Sequence, residues 1–168
     1  MFIDESGVDT AESRRYGWAP KGQTPEIERP TGGQRLSMIG AIGADGRTAL
    51  RRHRGPVNGE TFVKFLSEDL APTLRNGDVL IMDRASIHRV SAVAEVLDQL
   101  GVTVRLLPAY SPEFNPIEMT WAWIKRQIRD QPRRALDALD ARVADLWGRL
   151  TASLCADWVR HAGYAQST

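Results

Sequence analysis

Cysteine is almost missing from this 168-residue chain: Cys155 stands alone, so no internal disulfide can form and a reducing compartment fits. One thiol and three widely separated histidines give no zinc-ligand spacing. No apolar run approaches the roughly 20 residues that span a bilayer. The opening MFIDESG lacks the basic and apolar regions of a signal peptide, so a cytoplasmic protein without membrane partners is expected. Lysine is scarce too: Lys21, Lys64 and Lys125 stand against nineteen arginines at a net charge of +1. Codon bias explains much of that preference, although arginine's planar fork also suits phosphate. Arg51, Arg52, His53 and Arg54 form one basic cluster, and Lys125, Arg126, Arg129, Arg133 and Arg134 another. Either reads as a solvated face as readily as a nucleic-acid contact.

What is present suffices for a core, with 42% hydrophobic residues. Phe2-Ile3-Asp4 predicts a short strand ending in an acid. Residues 5–35, rich in Gly, Pro and charge, predict a long connection with a short strand near Tyr16-Gly17-Trp18. Residues 36–42 (LSMIGAI) and 48–53 predict a hairpin that turns at Ala44-Asp45-Gly46. Asn58 is suited to cap a helix carrying Phe62, Val63, Phe65, Leu66 and Leu70. The unbroken apolar run VLIM at 79–82 predicts a strand buried on both faces. A helix over about 90–100 stops at Gly101, and a further strand covers 102–107. Then come a proline-rich loop, a helix from Pro116, and one or two helices within 134–161. The order β, β, β, α, β, α, β, α, α predicts an α/β protein with a mixed sheet and helices on both faces. The ribonuclease H-like fold is one of several that this order admits.

Three acids occupy informative places. Asp4 closes the first apolar segment, Asp83 follows the buried strand, and Glu118 lies in the first turn after the proline loop. Ligands collect at strand ends in open α/β sheets, and carboxylates converging there would suit Mg²⁺. Each acid also has an ordinary explanation: a solvated terminus for Asp4, a turn or helix cap for Asp83, and a capping box with Asn115 for Glu118. Ile117, Trp121, Ile124 and Ile128 fall on one face of the last predicted long helix of the site. Glu118, Ala122, Lys125 and Arg129 fall on the adjacent one. Lys125 and Arg129 are thus placed to take a phosphate backbone leading away from Glu118. Trp121 reads as core, Trp123 lies off the apolar stripe, Glu5 faces away from Asp4, and Glu113 is a weaker choice for the third acid.

The runs FIDES, DRASIH and LLPAYSPEFNPIEMTWAWIK, with thirty-four residues between Asp83 and Glu118, resemble the catalytic domain of bacterial insertion-sequence transposases of the mariner-like superfamily, the DDE endonucleases. YGWAPKG at 16–22 is similar to the region after that family's first acid. The resemblance runs from Phe2 to about Ile128. It implies one catalytic domain over 1–168: ribonuclease H-like, with a mixed five-stranded sheet and helices on both faces. It implies two Mg²⁺ ions, replaceable by Mn²⁺, held by Asp4, Asp83 and Glu118, with phosphodiester hydrolysis at element ends followed by strand transfer into target DNA. DNA is then the partner, contacted by Arg84, His88, Lys125 and Arg129, in a homodimer associated with the nucleoid. Two departures stand out. Arg84 replaces the family's usual Asn, and it is expected to contact phosphate or point outward. Only three residues precede Asp4, so the N-terminal helix-turn-helix region of full-length relatives is expected to come from an upstream-frame partner. A decayed or domesticated DNA-binding remnant is the alternative.

Overall fold

The structure, a computed structural model, describes residues 1–13, 18–24, 32–83, 91–132 and 135–164. Five strands, β1 (Phe2–Asp9), β2 (Arg35–Ile42), β3 (Thr48–Arg54), β4 (Val79–Met82) and β5 (Thr103–Leu106), form one sheet in the order β3-β2-β1-β4-β5. β1, β2 and β3 pair antiparallel, whereas β4 and β5 run parallel to β1. This is the mixed five-stranded sheet expected from the sequence. β1 is longer than its apolar start suggested, because pairing with β2 continues to Asp9↔Arg35. Asp4 therefore lies inside the strand rather than at its end, a correction to the sequence-based placement. Tyr16 and Gly17, part of the extra strand predicted near Trp18, lie outside the described residues.

Period-2 alternation splits the strands' side chains between two cores. On one face Phe2, Val8, Leu36, Met38 and Ile42 meet α3 (Ile117–Asp130), α4 (Leu136–Trp147) and α5 (Ala152–His161). On the other, Ile3, Ile39, Ala41, Leu80 and Met82 meet α1 (Gly59–Lys64), the π-helical turns Phe65–Leu70 that continue it, and α2 (Ser91–Gln99). Asn58 caps α1 through its side chain, accepting from Thr61 N at 2.9 Å, and Gly101 ends α2's run with φ 63°. The expectation that β4 is buried on both faces holds only in part. Val79 is exposed and Ile81 half-buried, because α3 and α4 pack over β1 and β2 rather than over β4. Trp123, off the apolar stripe, packs against Trp158 of α5 with ring centroids 6.5 Å apart.

The first basic cluster belongs to the fold. Arg51 pairs with Glu68 and Asp69, Arg52 with Asp140, and Arg54 with Asp137. These pairs tie the edge strand β3 to the helical layers on both faces. Such guanidinium–carboxylate contacts fix orientation more than they add stability when exposed.

Gly40 links the fold to the site. It stands directly across from Asp4 in the β1–β2 ladder. A Cβ there would come within 2.6 Å of Trp147 and 2.7 Å of Trp121. Only glycine lets the two indoles lie against the sheet, 5.4 Å apart at their centroids. Gly40→Ala is expected to lower unfolding stability by about 1–3 kcal/mol, the usual cost of overpacking a core. Denaturant unfolding of the two proteins checks it.

Candidate active site

Two neighbouring parallel strands bring the aspartates together. The register Phe2↔Ile81 between β1 and β4, continued by two residues, sets Asp83 level with Asp4. Alternation puts both on the face covered by α3, since Phe2 packs on that side. β4 ends at Met82, and the chain leaves the sheet at Asp83. Glu118 enters from α3, two residues beyond Pro116. Asp4, Asp83 and Glu118 thus line one cavity of 470 Å³, with the loop 107–112 and Asn115 forming the rest of its wall. Glu113, the alternative third acid, is exposed and does not line it. Glu5 lines a separate cavity with Arg35 and Ser37, as its opposite orientation on β1 requires.

The electrostatics of this cavity are those of crowded like charge. Asp4 is only 8% exposed. Its carboxyl is pushed up to about 7, first by burial and then by Glu118 and Asp83, against a lowering backbone hydrogen bond at Glu5. Burial also raises Glu118, which sits at the exposed rim; Lys125 pulls it back down and Asp83 raises it. Lys125 is therefore felt at Glu118 from two turns along α3, and it has no salt-bridge partner among the described residues. Arg129 on the same stripe is engaged: it lies 3.3 Å from Glu12 and donates from Nε to the Lys125 carbonyl at 3.2 Å. Arg84 and His88 lie outside the described residues.

Two site residues carry roles that sequence reasoning missed. Trp121, 1% exposed, donates its indole N–H to Asp4 Oδ2 at 3.0 Å. A buried tryptophan needs a partner for that N–H, and this was the available signal. Asn115 was expected to cap the helix after the proline loop. Instead its amide donates to the Ile3 carbonyl at 3.1 Å, and α3 begins from Pro116 without a side-chain cap. The capping-box explanation of Glu118 falls with it. Asn115 thereby anchors the start of α3 to β1 beside Asp4. The loop is also held from the far end of the chain, where Tyr164 donates its hydroxyl to the Phe114 carbonyl at 2.9 Å.

The residues fit divalent cations. The donor set is three carboxylates, and the Asn115 Oδ1 atom is buried without a hydrogen-bond partner in a residue that lines the same cavity. Among the described residues no three His, Cys, Asp or Glu side chains are close enough together to form a ready-made ion cage. Mg²⁺ does not demand one, since it keeps several waters and takes one or two carboxylates directly. Positive charge in this cavity would relieve the burial and mutual repulsion that raise Asp4.

Fold and site define an α/β protein of the ribonuclease H-like class, with acids from β1, from the end of β4 and from the first turn of α3 lining one cavity. The chain belongs to the DDE superfamily endonucleases, whose family model matches residues 1–140. No curated protein sequence matches it. Solved structures similar to it include a pre-cleavage Mos1 transpososome, at 15% identity over 96% of this chain and 52% of that one, TM-score 0.78. The mariner Mos1 paired end complex with Mg gives 18% identity over 96% and 51%, TM-score 0.78. The catalytic domain of Mos1 mariner transposase gives 14% over 96% and 76%, TM-score 0.63. At these identities the likeness establishes the fold. The chain spans about half the length of the Mos1 chains in those assemblies. Among the described residues no helix is long and apolar enough to cross a membrane.

Proposed function

We propose that this chain is the catalytic domain of a transposase. It hydrolyses a DNA phosphodiester at the end of an insertion sequence and directs the freed 3′ hydroxyl to target DNA. The observation that carries this reading is the meeting of Asp4, Asp83 and Glu118, from three separate elements, on one cavity. Two divalent cations, when bound, would supply Lewis-acid stabilisation to the attacking and leaving oxygens of an in-line displacement. Asp4, Asp83 and Glu118 would hold them. Magnesium is the expected ion, with manganese as a substitute; the related Mos1 paired end complex has been crystallised with each.

The chain's own residues supply placement and charge. Trp121 fixes one oxygen of Asp4, and the backbone at Glu5 adds a second hydrogen bond to that carboxyl, so its orientation at the cavity is set. Asn115 fixes the start of α3 against β1 and so sets the position of Glu118. Lys125 offers the phosphate contact on the helix face that leads away from Glu118. Arg129, held by Glu12, contributes less. Arg84 and His88 complete the proposed DNA contacts. Element ends would be recognised by a DNA-binding region from an upstream reading frame, with two catalytic domains acting as a homodimer on DNA in the nucleoid.

The test is nicking of element-end DNA in Mg²⁺ or Mn²⁺ by the wild-type chain and by Asp83→Asn, repeated with the upstream region supplied. Nicking that disappears in the variant supports the enzyme. Equal binding by both without cutting by either overturns it in favour of a DNA-binding remnant. For Lys125→Ala, affinity is expected to weaken uniformly across DNA sequences, and the slope of log affinity against log salt to fall by about one. An unaltered slope would remove Lys125 from the interface.

A further inference from the structure

Tyr110 is the part of the cavity that carboxylate chemistry leaves unexplained. Its backbone is left-handed, with φ 58°, and among the described residues no other non-glycine residue has positive φ. L-residues avoid that region because Cβ crowds the backbone; asparagine and aspartate tolerate it best, and a bulky ring gains nothing there. The ring has no packing that would offset the strain, since Tyr110 is 101% exposed. Pro108 and Pro112 stiffen the loop on either side. The fold therefore holds a large aromatic side chain in a disfavoured conformation, in water, at the edge of the cavity that Asp4, Asp83 and Glu118 line.

The cavity has two unlike walls. Asp4, Asp83, Asn115 and Glu118 make a polar wall suited to cations, through which a phosphate would be held. Residues 107–112 make the other, and they carry no lysine or arginine. A phosphodiester held at the polar wall would have its flanking sugars and bases beside that loop. An aromatic face is the group on this wall that can bind a base, by stacking. Stacking from the side needs a base whose face is free, because a paired base in a duplex shows the groove only its edges.

We propose that Tyr110 is a nucleobase platform, on which an unpaired base next to the scissile phosphate stacks while the phosphate lies at the carboxylates. This rests on the reading of DNA as substrate. It adds what that reading lacks, a group that selects locally opened DNA over continuous duplex.

The probe is a short oligothymidylate carrying one 2-aminopurine, whose fluorescence is quenched by stacking, titrated with the full chain in Mn²⁺. Tyr110→Phe keeps the ring. Tyr110→Asn removes it and relieves the backbone. The expected result is quenching and affinity within about twofold of wild type for Tyr110→Phe, and roughly 5- to 100-fold weaker binding without quenching for Tyr110→Asn. The thermal midpoint of Tyr110→Asn is expected to equal or exceed that of wild type. Wild-type quenching and affinity in Tyr110→Asn would overturn the proposal. So would a lowered midpoint, because the ring would then be serving the fold. Mn²⁺-dependent cutting separates the two levels. Cutting that is lost in Asp83→Asn, together with unaltered binding by Tyr110→Asn, retires the platform alone. A wild-type chain that neither binds the probe nor cuts DNA, even with the upstream region supplied, retires both.

Discussion

Asp83→Asn is expected to reduce divalent-ion-dependent DNA cleavage by at least about 10²- to 10³-fold, the several kcal/mol that a well-placed Lewis acid supplies to a phosphoryl displacement. The substitution keeps the side chain's size and removes its charge. Asp83 leaves the sheet level with Asp4, and its charge is one of the causes that raise the Asp4 carboxyl. Removing that charge relaxes its repulsion with Asp4 and Glu118. Lost cleavage in a variant that still folds is diagnostic. A residue that merely capped a turn would leave cleavage preserved. Cleavage assays read the chemistry, and thermal unfolding in chelator checks that the variant is folded.

Trp121→Ala is expected to lower unfolding stability by about 3–5 kcal/mol. That is a large share of the roughly 5–15 kcal/mol that holds a typical domain together. The indole is almost fully buried, lies over Gly40, and packs on Trp147, so its removal opens a cavity at the centre of one core. Trp121→Phe separates packing from positioning. It keeps much of the apolar volume and deletes the N–H that reaches Asp4 Oδ2 at 3.0 Å. A hydrogen bond to a charged group contributes about 1.5–3 kcal/mol, so cleavage by Trp121→Phe should fall by roughly 10- to 100-fold. Denaturant unfolding and cleavage rates on the same preparations check both variants. Wild-type cleavage by Trp121→Phe would reduce the tryptophan to core packing.

Most of the sheet was legible because its strands obey simple patterns. The hairpin of β2 and β3, the apolar run of β4 and the stripe Ile117, Trp121, Ile124 and Ile128 all express the period of their element. β1 was read too short because its later residues, Glu5, Ser6 and Asp9, are polar; the β2 ladder keeps them in the strand. The three acids could be named, but their meeting is a matter of register between β1 and β4, which no local pattern encodes. Asn115 misled for a related reason. Its position before Pro-Ile-Glu is good cap chemistry, and only the tertiary fold brings the Ile3 carbonyl within its reach. Gly40 was visible as a glycine inside an apolar strand, a known mark of close approach, but what approaches it comes from residues 121 and 147. For the Arg51–Arg54 cluster sequence left a solvated face and a nucleic-acid contact both open, and the fold pairs Arg51, Arg52 and Arg54 with its own carboxylates. The last helix and Tyr164 lie beyond the 1–140 match to the family model, yet Tyr164 holds the loop that walls the cavity.

The central claim is that Asp4, Asp83 and Glu118 act together to hold divalent cations. Mn²⁺ titration of the wild-type chain, followed by the electron paramagnetic resonance of the free ion, tests it most directly. It should be run beside Asp4→Asn, Asp83→Asn and Glu118→Gln. The account predicts saturable binding by the wild type and at least about tenfold weaker binding by each variant, with all three variants folded. Equal Mn²⁺ affinity in the wild type and the three variants would contradict it.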